Sequence, residues 1–258
     1  DFFVLGSDQA WNPKRYNDVK KQLFFLTFTE SEKKICLAPS FGLSKLPENW
    51  KPYFAEKLNS FPMLSVREYS GAKIINELIG REAEVLIDPT LMIDKQEWLR
   101  IARKPKNMKI ENKYILNYFI GDFPESAVKK SEELAIDMNY KVYNLLDPES
   151  TELYAAGPAE FLYLIEYASL VQTDSFHACV FAFLFGRPFL VHAREGKDPD
   201  MFSRLETLLS KFNLERKYVE NGIENEVFEC DYQLGYEKLE GERKKVLDFL
   251  KESMHLEE

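Results

Sequence analysis

The chain has 258 residues, 45% of them hydrophobic, enough for one large core or two modest ones. Its 43 acidic and 34 basic side chains leave a formal charge of −9, which excludes broad nucleic-acid binding, because that needs a surplus of phosphate-neutralising Lys and Arg. The longest unbroken apolar run, Ala178 to Phe185, falls far short of the roughly 20 residues a membrane span requires.

In chain order, the apolar runs are short, rich in Val, Ile, Leu and Phe, and not alternating, with longer amphipathic or charged segments between them. That rhythm predicts buried parallel strands separated by crossover helices. Strands are expected at Phe2–Leu5, Ile35–Pro39, Met63–Val66, Ala83–Ile87, Tyr114–Tyr118, Lys141–Leu145, Leu170–Gln172 and Phe189–His192. Helices are expected at Glu48–Ser60, Ser70–Leu78, Glu125–Met138, Pro158–Glu166, Ser175–Phe185, Met201–Phe212 and Tyr236–Met254. The chain opens at Asp1 without a methionine and enters a strand-like run at once, which favours a segment upstream of Asp1 over an unusually short first domain. The stretch IARKPKNMKIENK, Ile101 to Lys113, is basic, polar and contains a proline, and the strand–helix rhythm restarts after it. Two domains are therefore expected, 1–105 and 106–258, with the last helix able to cross back to the first.

In open parallel sheets, ligands bind beyond the carboxyl ends of the strands, and polar residues gather there. Gly6, Ser7, Asp8 and Gln9 follow the first strand, a glycine for close backbone approach and three hydrogen-bonding side chains. The Gly-Lys-Ser/Thr ending of a phosphate-binding loop is missing, as is a GxGxxG fingerprint. Trp11, just beyond, is either a stacking surface or core. Ser40, Phe41 and Gly42 follow the second strand, and Arg67 follows the third. A guanidinium directly after a buried strand is costly unless it meets an anion. That anion is either a ligand or a carboxylate such as Glu68 or Asp88. Arg194 and Glu195 follow the last strand, with Arg204 further on; read singly, each arginine is a solvated surface residue.

The stretch TDSFHACVFAFLFGRPFLV carries the most pointed signal. Thr173, Asp174 or Ser175 can cap the next helix by accepting from a free first-turn N–H. That helix is apolar on all sides and must be buried; Gly186 ends it and Pro188 prevents its continuation. His177 therefore lies in the first turn, where free N–H groups and the positive dipole end favour an anion to which an imidazolium can also donate. The alternative is a neutral imidazole bonded to a nearby carbonyl. His192, among apolar neighbours, reads as core or pocket wall, and His255, in the charged tail, as solvated. The three histidines lack metal-ligand spacing, so no metal site is expected, and Cys36, Cys179 and Cys230 form no CxxC pair and read as reduced thiols of a cytosolic protein.

Taken together, GSDQAWNP, LAPSFG, LSVREYSGAKIINELIG, VLIDPTLMI with Trp98 after it, YILNYFIGD, TDSFHACVFAFLFGRPFLV and SRLETLL occur in an order that resembles the polysaccharide pyruvyl transferase family, from Phe3 to about Leu209. The resemblance implies an α/β fold of two Rossmann-like domains, parallel sheets with flanking helices, arranged as in GT-B glycosyltransferases with the active site in the cleft. It also implies an early Gly/Asn-rich strand–loop segment before Asp1, so that the N-terminal domain is incomplete here. The implied activity is cytoplasmic transfer of the pyruvyl group of phosphoenolpyruvate onto a sugar hydroxyl pair of an envelope or capsular polysaccharide precursor, a glycan or lipid-linked sugar. Phosphoenolpyruvate is the donor and no further cofactor is expected. By the resemblance His177 is the active-site acid/base and Arg67 binds the donor. Gly6, Ser7, Asp8, Gln9, Ser40, Phe41, Gly42, Ser175, Arg194, Glu195 and Arg204 are candidate substrate contacts. The sequence departs from the family in one place: many members carry an arginine two residues before the histidine, where Ser175 stands here. Arg194 or Arg204 can replace that charge, or the donor differs. Two other readings stay open: glycosyl transfer from a nucleotide-sugar on the same architecture, and a non-catalytic glycan- or anion-binding module.

Overall fold

A computed structural model describes residues 1–106, 108–196, 202–221 and 227–256. The chain groups into two compact units, one of residues 1–92, 200–208 and 236–258, the other of residues 93–199 and 209–235. The division falls after Met92, upstream of the expected polar stretch, because helix α4 (Lys95–Ile101) packs into the second unit. There Trp98 meets Phe181 edge-on at 5.1 Å and Lys95 Nζ lies 3.0 Å from Glu166.

In the first unit, strands β1 (Phe3–Leu5) and β2 (Lys34–Cys36) pair in parallel, as do β3 (Ser65–Val66) and β4 (Glu84–Val85). The strands are shorter than the apolar runs suggest because the backbone turns sharply beyond two of them: Asp8 and Ala38 hold φ of 60° and 50°, left-handed values costly for residues with a Cβ. Ser65 joins the two pairs. Its hydroxyl donates to Cys36 O and accepts from Ala38 N at 3.0 Å, while Arg67 N donates to Pro39 O at 3.2 Å. Helices α1 (Asp18–Leu23), α2 (Lys51–Leu58) and α3 (Tyr69–Ile79) complete this part of the unit. Its core is aromatic, with Trp11, Phe25, Phe41, Phe54 and Phe61 buried. Trp11 thus packs as core. Within α3, a Cβ on Gly71 would lie 3.2 Å from the Phe41 ring and 3.3 Å from Val66 Cβ, so a larger residue there would need its neighbours to shift by a few tenths of an ångström.

The second unit holds a four-stranded parallel sheet in the order β6–β5–β7–β8, formed by β5 (Tyr114–Tyr118), β6 (Lys141–Leu145), β7 (Leu170–Thr173) and β8 (Phe189–Val191). Helices α5 (Glu125–Met138), α6 (Thr151–Tyr154), α7 (Pro158–Tyr167) and α8 (Phe176–Phe185) supply the crossovers. The strand order reverses direction between β5 and β7, the position at which parallel sheets open a crevice. In α8 every residue but His177 is buried, and Gly186, at φ 69°, closes it. Of the helix expected from Met201, that residue lies outside the described ones, and α9 runs Ser203–Phe212. The last helix, α10 (Gln233–Ser253), contributes residues from 236 onward to the first unit, where Arg243 Nε donates to Leu91 O at 2.8 Å. The fold is mixed α/β, with small parallel sheets and flanking helices. Among the described residues no helix is long and apolar enough to cross a membrane.

Ser65 gives a direct test of this construction. Ser65→Ala strips a buried donor from Cys36 O and a buried acceptor from Ala38 N, and is expected to lower the unfolding free energy by about 1–3 kcal/mol in chemical denaturation; an unchanged midpoint would show that the bridge is dispensable.

Candidate functional site

Each unit carries its own polar cluster at its strand ends. In the first, Arg67 directly follows β3 and its side chain is 1% exposed. Nη1 donates to Asp88 Oδ2 at 2.5 Å and Nη2 to Asp8 Oδ1 at 3.0 Å. Asp88, just past β4, is held from every side: Ser7 Oγ donates to its Oδ2 at 2.7 Å, and Thr90 N and Oγ1 donate to its Oδ1 at 3.0 and 2.8 Å. Burial works against the charged guanidinium, yet Asp88, Glu68 and Asp8 outweigh it and hold Arg67 above the usual arginine range. Arg204, at the start of α9, places Nη1 3.7 Å from the same Asp8 Oδ1. Its side chain is buried, contrary to the solvated reading. A cavity of about 360 Å³ opens beside these residues, with Ser7, Asp8, Gln9, Arg15 and Lys20 in its wall. Gln9 Oε1 accepts from Arg15 Nε at 3.2 Å, and a Cβ on Gly6 would meet nothing within 4 Å.

Ser40, Phe41 and Gly42 belong to a different arrangement. They wrap the buried carboxylate of Glu68, whose Oε1 accepts from Ser40 Oγ at 3.0 Å, Phe41 N at 2.8 Å and Gly42 N at 3.1 Å. The Phe41 ring is fully buried in the aromatic core and the other two are closed in as well, so these three present no side chain to a ligand. Burial pushes the Glu68 carboxyl up, against the pull of Arg67, Gly42 N–H, the Ser40 hydroxyl and Arg204.

In the second unit, Ser175 caps α8, its Oγ accepting from Ala178 N at 3.5 Å. His177 follows as the second residue of the helix, half-buried, its ring edge-on to Phe176 at 5.4 Å. Beside it Asp174 is buried, and the loop after β5 satisfies its carboxylate: Ile120 N donates to Oδ1 at 2.8 Å and Gly121 N to Oδ2 at 2.9 Å. Arg194 completes the cradle, Nε donating to Asp174 Oδ2 at 2.8 Å and Nη2 to Asp174 O at 3.1 Å. Arg194 is therefore a largely buried ion-pair partner, again unlike the solvated reading. Glu195 is exposed and contributes its main chain, its O accepting from Asp122 N at 3.1 Å.

Sequence reasoning named Asp88 and Glu68 only as possible partners of Arg67, and Asp174 only as a helix cap. Nothing in the sequence links Asp174 to the loop after β5; in the structure that loop approaches so closely that a Cβ on Gly121 would collide with Glu195 O and lie 3.1 Å from Asp174 Oδ2. His255 is exposed, and His192 is core, its Nε2 bonded to Gln172 Oε1 at 3.0 Å. Burial pushes the His192 imidazole down to about 4, against a weaker opposing pull from Asp174.

Two pH dependences follow. For His192 the unfolded chain takes up the proton first, so stability is complete above about 6.5 and is lost as pH falls toward about 4. The loss is on the order of 3 kcal/mol, and it should be absent from the difference between pH 7 and pH 4 unfolding curves of His192→Gln. For Glu68 the sign is opposite: stability is complete below 4.5 and declines as pH rises through its elevated value. Glu68→Gln should therefore gain stability relative to the parent as pH increases, and a variant that instead loses ground to the parent over that range would refute the elevated carboxyl.

Comparison with known families matches the model described as polysaccharide pyruvyl transferase to residues 1–195. The chain belongs to that family. No curated protein gives a significant match.

Proposed function

We propose that this member of the polysaccharide pyruvyl transferase family moves the pyruvyl group of phosphoenolpyruvate onto a hydroxyl pair of a sugar in an envelope or capsular polysaccharide precursor. The observation that carries the reading is the family match, which spans both Arg67 and His177. The reading takes the two units as Rossmann-like halves of a GT-B-type enzyme and places the reaction in the cytoplasm, where phosphoenolpyruvate is made.

The donor carries a carboxylate and a phosphate, and guanidinium groups suit both. Of the two arginines able to make up for Ser175, Arg194 is engaged by Asp174, whereas Arg204 shares Asp8 with Arg67. In this reading Arg67 and Arg204 bind the donor, and the exposed Asp8 carboxylate gives up its place to a donor anion. His177 then protonates the methylene carbon of the enol, leaving an oxocarbenium-like centre at the adjacent carbon. One sugar hydroxyl adds there and its proton returns to the imidazole. The C–O bond to phosphate breaks, phosphate departs with the bonding pair, and the second hydroxyl closes the ketal as its proton is lost. The sum is phosphoenolpyruvate plus a diol giving a ketal plus inorganic phosphate. A positioned acid/base is worth roughly 10²- to 10⁴-fold.

His177→Ala should lower turnover by about that factor with the thermal midpoint retained; an unchanged rate ends the acid/base role. Because Arg67 is buried against Asp88, truncating it would leave an unpaired buried carboxylate, so Arg67→Lys and Arg204→Lys are the informative changes. Each keeps the charge and loses the planar fork, and the expected result is an approximately tenfold or larger rise in the donor KM, on the order of 1.4 kcal/mol. A thermal-shift series decides the donor: stabilisation by phosphoenolpyruvate supports the reading, and stabilisation by nucleotide-sugars alone replaces it.

A further inference from the structure

At the carboxyl ends of β5 and β6 a cavity of about 310 Å³ has Asn117, Phe119, Phe123, Asn144, Leu146 and Asp147 in its wall. A network of polar groups runs beneath it, in which Ser131 Oγ also donates to Asn117 Oδ1 at 3.2 Å. Gln172 Nε2 sits among three acceptors, Ser131 Oγ at 2.7 Å, Asn117 Oδ1 at 3.2 Å and Ala127 O at 3.3 Å. That fixes the amide, so Gln172 Oε1 faces His192 and the imidazole carries its proton on Nε2. Onward, Asn117 Nδ2 donates to Ser131 Oγ at 3.0 Å and to Asn144 Oδ1 at 2.9 Å. Asn144 is the last member and half-buried. With its carbonyl oxygen taken, its Nδ2 is left as a donor at the cavity wall, and among the described residues it has no acceptor. The bond from Asn117 Nδ2, itself fixed by Ser131, holds that final amide in one orientation.

The remaining wall is of two kinds. Phe119 and Phe123 stack with centroids 4.9 Å apart and planes at 27°, and Phe123 is 37% exposed. Opposite in character is Asp147, on the turn after β6, where Leu146 takes a left-handed φ of 69°. No Lys, Arg or His is among the lining residues. An aromatic face, a fixed amide donor and a carboxylate with no cation beside it disfavour a phosphate-bearing ligand and suit a neutral polyol that has one apolar face.

We infer that this cavity is a saccharide subsite that takes a neutral pyranose, its C–H face against Phe123, one hydroxyl accepting from Asn144 Nδ2 and another donating to Asp147. Its role as a seat for a sugar unit of the acceptor rests on the pyruvyl-transfer reading; the binding itself does not. The test is saturation-transfer NMR with methyl pyranosides of glucose, galactose and mannose, and with uridine diphosphate, on the parent, Phe123→Ala and Asn144→Asp. Phe123 is at the surface, and Asn144→Asp keeps the acceptor for Asn117 while removing the donor, so both variants should fold, which their thermal midpoints check. At least one pyranoside is expected to give signals on the parent that fall at least fivefold in both variants. No pyranoside signal on the parent, signals undiminished in either variant, or stronger signals from uridine diphosphate would overturn the subsite. Phosphoenolpyruvate thermal shifts run in parallel separate the two proposals: their absence removes the donor reading and leaves the sugar result standing.

Discussion

The structure turns on what happens to charge where short parallel strands end inside a protein. A buried guanidinium is tolerable only with close counter-charges and filled hydrogen bonds, and breaking such a pair costs more than never having built it. Arg67 and Asp88 form that pair at 2.5 Å, from two neighbouring strand ends, and Ser7 from a third strand end donates into it. The pair therefore ties together three strand ends from two small sheets whose strands are only two or three residues long. Ladder hydrogen bonds alone are few in such strands, and the side-chain bonds of Ser65 and Arg67 take over part of their work.

The second unit solves the converse problem. There the buried charge is a carboxylate, Asp174, and the loop after β5 turns two backbone N–H groups onto it while Arg194 closes the third side. Paired N–H groups of this kind form a natural anion seat, and here the chain's own carboxylate fills it. The helix end beside it is capped by Ser175 rather than by an arginine. In the proposed reading the donor's charge is thus met at Arg67 and Arg204, and the α8 terminus contributes the imidazole of His177 without a neighbouring guanidinium from its own helix.

Much of this was legible in the chain. All eight strands and the long helices follow from apolar runs and their spacing, since burial on both faces leaves an unbroken hydrophobic signature. The short helices α1, α4 and α6 are not predicted by the sequence, because four to seven residues hold too little periodicity to read. At β2 and β4 the strands end earlier than the sequence predicts, because apolar residues continue after pairing has stopped. Positions of the site residues are readable as strand ends, and Asp88 as one possible partner of Arg67, but the other partners are not. Nothing local to Ser40, Phe41 and Gly42 reveals that they close on Glu68, because that contact spans 26 or more residues of chain. Likewise Arg194 and Arg204 look solvated until long-range folding brings Asp174 and Asp8 to them.

The two carboxylates on Arg67 are not equivalent, and the difference shapes what a ligand can do. Asp88 is 3% exposed at its side chain and takes bonds from Ser7 and Thr90 as well, so it stays. Asp8 is 62% exposed, on a residue held at φ 60°, and spans Nη2 of Arg67 and Nη1 of Arg204. Backbone held in a sparsely populated region next to exchangeable charge is a common feature of ligand clamps. An incoming anion has to displace a carboxylate that is already present at high effective concentration. A singly charged ligand gains little from that exchange, because it replaces one carboxylate with another. A ligand carrying two anionic groups can hold both guanidinium groups at once and release Asp8 to water. In the proposed reading the arrangement thus selects for charge number as well as charge sign, a demand that a carboxylate–phosphate donor would meet and a simple carboxylic acid would not.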